Sequence, residues 1–265
     1  EKIPKEEEHS IYISALEKIG IQECKEKLAH QISTEDMTLQ IVGDLLSPGD
    51  LAVLVIPIDS AAPKGRLILP QQQVIRDILE AGAASVTVRN TELAQTLQNL
   101  EGKVRMVITD SQAFEEVAAI VPKEIPLTSF SILMARFKGY LETAVKGIQA
   151  VDSLKDGDRI LISEGCTHHR QCEDIGTVKL PNWLLKYTGK NLTFEWSSGR
   201  EFKEDLSPYA MVIHCGGCML NEREVKYRMK CAVDQGIPFT NYGIAIAYMK
   251  GILQRSIEPI PNLPQ

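Results

Sequence analysis

The chain has 265 residues, 44% of them hydrophobic and 24% charged, with a formal net charge of −6. This length accommodates one large or two medium globular domains. The acidic balance without a basic stripe disfavours nucleic-acid binding, and no apolar run reaches the length of about 18 residues typical of a membrane span. Six cysteines are too few for a disulfide framework, and residues 1–8 contain no apolar signal-peptide core, so we expect a cytoplasmic setting.

The first half of the chain predicts alternating strands and helices. Residues 11–16 predict a short strand, and residues 17–32 predict an amphipathic helix. The continuous apolar run at residues 51–58 is typical of a strand that is buried on both faces. The remaining predicted elements are a helix at 71–81, a strand at 85–89, a helix at 91–100, a strand at 104–109 and a helix at 112–121, with Asp110 or Ser111 as its N-cap.

A second alternating set follows a plausible boundary at residues 122–126. Residues 130–148 keep helical spacing over about four turns and predict one long helix. Strands are then predicted at 158–163, 191–196, 209–213 and 238–241, and helices at 181–187, 222–235 and 244–253. The pattern predicts an α/β protein of two domains, each a mainly parallel sheet flanked by helices, without an internal sequence repeat.

Two short motifs follow predicted strands and carry metal-ligand chemistry. Cys166 and His168 form a Cys-x-His motif after one strand, and His214, Cys215 and Cys218 form a His-Cys-x-x-Cys motif after another. Ligands of parallel sheets bind beyond the carboxyl ends of the strands, so the two loops can face one another. Thiolates are the ligands that zinc and iron–sulfur clusters select, and glycines between the paired cysteines let a metal group approach the backbone.

The pattern leaves the fourth ligand and the kind of centre open. His168, His214, Glu173 or Cys172 could complete a site of three cysteines, and a weak fourth ligand would leave the centre chemically open. The alternatives are a zinc-stabilised interaction module and a dithiol oxidoreductase that uses Cys215 and Cys218.

Other polar and sulfur side chains favour ordinary structural roles. Cys24 and Cys231 lie on predicted helices at positions that favour packing into the core. Asp59, Lys64 and Arg66 belong to a polar loop, which we interpret as solvated or as an anion site. The sequence contains no phosphate-binding loop, dinucleotide fingerprint or hydrolase elbow, so we predict no catalytic residues.

The cysteine motifs resemble those of HydF, the maturation GTPase of FeFe-hydrogenases. Further resemblance lies in three stretches of the chain, namely residues 62–70, 163–169 and 213–219. The resemblance implies a 4Fe–4S cluster held by Cys166, Cys215 and Cys218, with His168 and His214 as cluster-site residues. It also implies a two-iron CO/cyanide precursor as cargo. We predict Glu173, His168 or His214 as the fourth or exchangeable ligand, and Glu173 when no precursor is bound.

The same resemblance implies a homodimer whose partners are the apo FeFe-hydrogenase and two radical-SAM maturases. Residues 1–33 would be the end of a GTPase domain and linker, 34–124 a dimerisation domain and 125–265 a cluster-binding domain. The GTP site would then lie in a missing domain, so we expect no enzymatic activity from these residues. We also expect the strand at residues 51–58 to provide the edge for dimerisation.

Overall fold

The structure, a computed structural model, describes residues 11–17, 19–31, 40–58, 65–165, 174–199, 201–261 and 263. The chain divides into two compact units, residues 1–39 and residues 40–265. In the first unit, Ser14 and Ile19 form an antiparallel bridge, and helix α1 follows at Ile21–Gln31. The predicted helix at 17–32 is therefore shorter at its start, and the predicted strand at 11–16 is reduced to this one bridge.

The second unit alternates strands and helices throughout. Its strands are β1 (Leu51–Val55), β2 (Ala84–Val88), β3 (Val104–Thr109), β4 (Leu127–Ser129), β5 (Arg159–Glu164), β6 (Thr193–Ser198), β7 (Met211–His214) and β8 (Phe239–Asn241). Its helices are α2 (Leu69–Glu80), α3 (Leu93–Asn99), α4 (Phe114–Ile120), α5 (Phe130–Phe137), α6 (Leu141–Ile148), α7 (Leu180–Thr188), α8 (Glu222–Asp234), α9 (Tyr242–Met249) and α10 (Leu253–Ile257). None of the helices in the described part of the chain combines the length and hydropathy needed to span a lipid bilayer.

The strands form two four-stranded parallel sheets, which confirms the predicted α/β class. The first sheet has the order β2-β1-β3-β4, and the second has the order β6-β5-β7-β8. Strand β1 is buried on both faces, since Val53 and Val55 join one hydrophobic cluster while Ala52 and Leu54 join another. This burial explains why its sequence is a continuous apolar run and not an alternating one.

The predicted role of the apolar strand at residues 51–58 in dimerisation is wrong. Strand β1 pairs with β2 on one side and with β3 on the other, so both of its edges are already used. A strand that is apolar on both faces belongs in the middle of a sheet, where helices cover both surfaces.

The two sheets share more than their class, which corrects the expectation that the chain contains no repeat. Their strand orders are the same, and Ile-Pro-x-Thr at residues 125–128 recurs at 237–240. Lys-Gly-x-Leu at residues 138–141 likewise recurs at 250–253, where Gly139 and Gly251 end a helix with φ values of 71° and 69°. Each match has only three identical residues, so the repeat is easy to overlook until the strand orders of the two sheets are compared.

The predicted long helix at residues 130–148 is two helices. Gly139 adopts a left-handed conformation, and the amides of Gly139 and Tyr140 donate to the carbonyls of Arg136 and Ala135. This is a glycine C-cap, which ends α5 before α6 begins at Leu141. The continuous apolar spacing hid the break because both helices pack into the core.

Strand β4 was not predicted, because three residues are too few to show a strand pattern. Strand β4 lies beyond residue 124 and pairs with β3, so it belongs to the first sheet. The predicted domain limits at 33/34 and 124/125 stay predictions. Helix α10, which follows the second sheet, packs against β4, and helix α6, which follows the first sheet, packs against β8. We call each sheet, together with the helices that follow its strands, one half of the second unit. Each half therefore packs one helix against a strand of the other half.

Candidate metal centre

The segments that lead into the two sequence motifs leave the carboxyl ends of neighbouring strands. Strands β5 and β7 pair in parallel, and Ser163 on β5 lies opposite His214 on β7. Cys215 directly follows β7, and its amide donates to the carbonyl of Ser163 at 2.8 Å. Parallel pairing therefore places the beginnings of both loops at one edge of the sheet, as the sequence predicted.

The two loops touch each other through a cysteine sulfur. The amide of Gly165, which immediately precedes the first motif, donates to Sγ of Cys215 at 3.1 Å. A methyl group on Gly165 would lie 2.7 Å from Cγ of Leu220, so glycine is needed for Gly165 and Leu220 to lie this close together. Cys166, His168, Cys172 and Glu173 lie outside the described residues, and their roles as ligands stay predictions.

The second motif forms a tight turn around its first sulfur. Gly217 adopts a φ of 61°, a conformation that favours glycine, and its amide donates to Sγ of Cys215 at 3.3 Å. Cys215 thus accepts backbone amides from both loops. Cys215 and Cys218 are each partly exposed. Amide donors favour an anionic sulfur, which is the form that binds metals.

Lys138 extends from the end of α5 to the backbone of this turn. The residue is only 4% exposed, and its Nζ donates to the carbonyl of Gly217 and, at 2.7 Å, to that of Leu220. Burial lowers the pKa of Lys138, while the nearby Cys218 and Cys215 act in the opposite direction. A buried ammonium group therefore lies beside the pair of sulfurs.

His214 is fully buried, and both of its ring nitrogens have partners. Nδ1 lies 2.6 Å from the carbonyl of Cys215, and Nε2 lies 3.4 Å from Nη1 of Arg228. Because a carbonyl only accepts and a guanidinium only donates, these partners assign the proton to Nδ1. Burial lowers the pKa of His214 to about 4, so the ring is neutral. A ligand role for His214 would require Nε2 to leave Arg228 or Nδ1 to leave Cys215.

Arg228 on α8 connects three segments of the chain beside the second motif. It is 1% exposed, its Nε donates to Glu224 at 2.9 Å and its Nη2 donates to the carbonyl of Gly199 at 2.5 Å. Its guanidinium also lies over the ring of Phe202, at 5.2 Å from the ring centre. The two buried cations, Lys138 and Arg228, therefore flank the second motif.

Sequence reasoning missed both cations. Lys138 stands within a run of helical spacing and resembles an exposed residue near a helix end, and Arg228 follows Glu224 by four residues like an ordinary surface pair. Only the Lys-Gly-x-Leu repeat singles out Lys138 before the fold is known.

The described residues fit part of a thiolate-bound metal centre. They provide two sulfur ligands, two amides that donate to sulfur and a buried cation, which suits a cluster with negatively charged ligands. Within the described ranges no group of three or more metal-ligating side chains is assembled. The predicted third cysteine, Cys166, belongs to the undescribed residues 166–173.

Comparisons with known proteins identify two domains in the second unit. Residues 41–139 match the hydrogen maturase F dimerization domain, and residues 142–259 match the hydrogen maturase F tetramerization domain. A search among curated proteins gave no match.

Among solved structures, the chain is similar to a 5,10-methylenetetrahydrofolate dehydrogenase from the silkworm Bombyx mori. That similarity covers 90% of this chain and 92% of the dehydrogenase, with 10% identity and a TM-score of 0.24. A score this low does not establish a shared fold.

Proposed function

The chain belongs to the hydrogen maturase F (HydF) family, which gives it a role in hydrogenase maturation, and from this premise we propose that it is an iron–sulfur scaffold and carrier. It binds a 4Fe–4S cluster through Cys166, Cys215 and Cys218. It takes part in assembling the two-iron subcluster and delivering it to FeFe-hydrogenase. These residues hold and transfer a metal group, and they catalyse no reaction of their own.

The contact between Gly165 and Sγ of Cys215 is the observation that supports this proposal most directly. It joins the loop that leads into Cys166 to the turn that carries Cys215 and Cys218. Three cysteines on two meeting loops suit one cluster, and the fourth iron position would then take an exchangeable ligand. Glycines at 165 and 217 permit the close packing of the two loops, because a methyl group would lie 2.7 Å from Leu220 at the first position and 3.0 Å from Val225 at the second.

The chain carries the family's dimerization and tetramerization domains, which supports self-association. We place the homodimer contact on the first sheet, because the dimerization domain contains that sheet. The apo-hydrogenase and the two radical-SAM maturases are the partners of this function, and the cytoplasm is its setting. GTP would bind to the family's GTPase domain, and we assign no GTP site to these residues.

Cysteine substitution followed by anaerobic cluster reconstitution tests the proposal. Wild-type protein should bind about four irons with matching sulfide, the content of one 4Fe–4S cluster. Cys215→Ala, Cys218→Ala and Cys166→Ala should each lose most of both, because each removes one thiolate ligand. Cys231→Ala on α8 should keep wild-type iron, since Cys231 lies outside both motifs.

Other results would favour other functions. Iron and sulfide retained in all three ligand variants would contradict the site. Stoichiometric zinc without sulfide would favour the zinc-stabilised module, and disulfide reduction without metal would favour the dithiol oxidoreductase. For the fourth ligand we expect Glu173→Gln to change the paramagnetic resonance spectrum at constant iron content; a change in His168→Ala or His214→Ala instead would assign the ligand to that histidine.

A further inference from the structure

Lys138 and Lys250 occupy the same place in the two halves of the chain. Each lysine ends a helix, and each is followed by a glycine of positive φ. The backbone hydrogen bonds at the two helix ends match as well. The amide of Lys138 donates to the carbonyl of Met134, and the amide of Lys250 donates to the carbonyl of Ile246, each four residues back. The structure therefore contains two equivalent lysines whose partners can be compared.

The two lysines reach the segments that follow the equivalent strands β3 and β7, but their partners differ. Lys250 extends to the segment after β3 and pairs with the carboxylate of Glu115 at 2.5 Å, with 31% of its side chain exposed. Lys138 extends to the segment after β7, where its partners are the carbonyls of Gly217 and Leu220. Among the described residues, no carboxylate lies within ion-pair distance of Lys138.

A buried ammonium group bonded only to carbonyls is unfavourable unless negative charge lies nearby. Removing a charge from water costs several kcal/mol in order of magnitude, and neutral acceptors offset only part of this cost. The groups that favour the charged form of Lys138 are the sulfurs of Cys218 and Cys215. The ammonium group of Lys138 therefore has carbonyl partners in the turn that carries Cys215 and Cys218, whereas that of Lys250 has a carboxylate.

We propose that Lys138 is a positioning residue of the metal centre, which anchors the Gly217–Leu220 turn and offsets the negative charge of the thiolate-bound group. This inference rests on the proposed function for its charge role, whereas the anchoring role concerns the protein alone. Lys138 comes from α5, which follows the first sheet, so the metal-binding turn of the second half is held by a side chain from the first.

Amide hydrogen exchange in the metal-free, full chain tests the anchoring role. In Lys138→Met, the amides of residues 215–221 should exchange about tenfold faster, because hydrogen bonds from a charged donor are lost. Lys250→Met is the matched control: it removes the equivalent lysine, and it should leave exchange at residues 215–221 unchanged. Equal exchange in Lys138→Met and wild type would overturn the anchoring role.

The midpoint reduction potential of the reconstituted cluster tests the charge role. Lys138→Met should shift the potential to a more negative value, because a cation stabilises the reduced and more negative cluster. Lys138→Gln, which keeps a hydrogen-bond donor without the charge, should show the same shift and also serves if Lys138→Met does not fold. Lys250→Met should keep the wild-type potential.

The outcomes separate this inference from the proposed function. A potential that is the same in wild type, Lys138→Met and Lys138→Gln would overturn the charge role while the cluster site stands. A wild type without iron and sulfide would overturn both the cluster and the charge role. The exchange rates would then still decide whether Lys138 anchors the turn.

Discussion

At the scale of single residues, the candidate metal centre is surrounded by buried polar groups with assigned partners. His214 donates to the carbonyl of Cys215 and accepts from Arg228, so it fixes the backbone at the start of the turn that carries Cys215 and Cys218. Its neutral state matters, because a charged imidazolium would face the guanidinium of Arg228 at 3.4 Å. The stability of the turn should therefore depend on pH.

We expect the free energy of unfolding of the metal-free protein to fall as the pH drops below about 6.5. The pKa of His214 is about 4 in the folded chain, against 6.5 ordinarily. The unfolded chain therefore takes up a proton first, and unfolding becomes easier by about 3 kcal/mol once the pH reaches 4. Above pH 6.5 the ring is neutral in both states, and the contribution no longer changes.

Urea unfolding at a series of pH values measures this contribution. Carboxylates also titrate in the same range, so the comparison is the difference in slope between wild type and His214→Gln. The variant should lose less stability between pH 6.5 and 4 than the wild type does. Parallel curves for the two proteins would show that His214 is not the group responsible.

At the scale of elements, strand β2 is the outer strand of the first sheet as far as the chain is described, and we expect it to pair with a second copy of the chain. The amide of Ala84 donates to the carbonyl of Asp50, and the carbonyl of Val88 accepts from Ile56. Residues 84 and 88 therefore bond toward β1. Because strand backbones alternate, the amides of Ser85 and Thr87 point away from β1.

Thr87→Pro should weaken self-association by about tenfold or more while the monomer stays folded. Proline removes an outward amide and leaves the bonds between β1 and β2 intact, which is the position where an outer strand tolerates it. Sedimentation velocity measures the association, and far-ultraviolet circular dichroism checks the fold.

Thr87→Val is the matched control for this substitution. It changes the same side chain but keeps the backbone amide, so it should associate like the wild type. If Thr87→Pro and Thr87→Val associate equally well, the contact between copies lies elsewhere than on the edge of β2.

At the scale of the whole molecule, each half of the second unit packs a helix against the sheet of the other half. Helix α6 packs so closely on β8 that a methyl group on Gly147 would lie 2.1 Å from the carbonyl oxygen of Phe239. Thr240 also donates to the carbonyl of Ala144 at 2.9 Å. On the other side, Arg255 donates to the carbonyls of Ala118, Val121 and Pro122 beside β4. The halves should therefore unfold together.

Gly147→Ala should lower the free energy of unfolding by about 2 kcal/mol or more. Alanine favours an isolated helix over glycine by about 1 kcal/mol, but the clash with a backbone atom forces α6 away from β8. Thermal unfolding should show one transition at a lower temperature.

Lys146→Ala, at the neighbouring exposed position on α6, controls for the change of helix sequence. It removes only a surface ion pair with Glu142, so its effect should stay below about 1 kcal/mol. A midpoint for Gly147→Ala at or above that of the wild type would refute the close packing of α6 on β8.

The sequence by itself determined the α/β class, the positions of most strands and helices, and the two cysteine motifs at strand ends. These features are local: burial on both faces makes β1 a continuous apolar run, and Asp110 accepts from Gln112 as the predicted cap. The resemblance that led to the family also rests on short stretches around Cys166 and Cys215.

Only the tertiary structure decided which strand is central, where α5 ends and which cations flank the sulfurs. The place of β1 between β2 and β3 depends on pairing between residues far apart in the chain. Lys138 donates to the carbonyl of Gly217, a residue 79 positions further along the chain. Such contacts bring together residues distant in sequence, and no local pattern of hydrophobicity or spacing records which distant partner a side chain will meet.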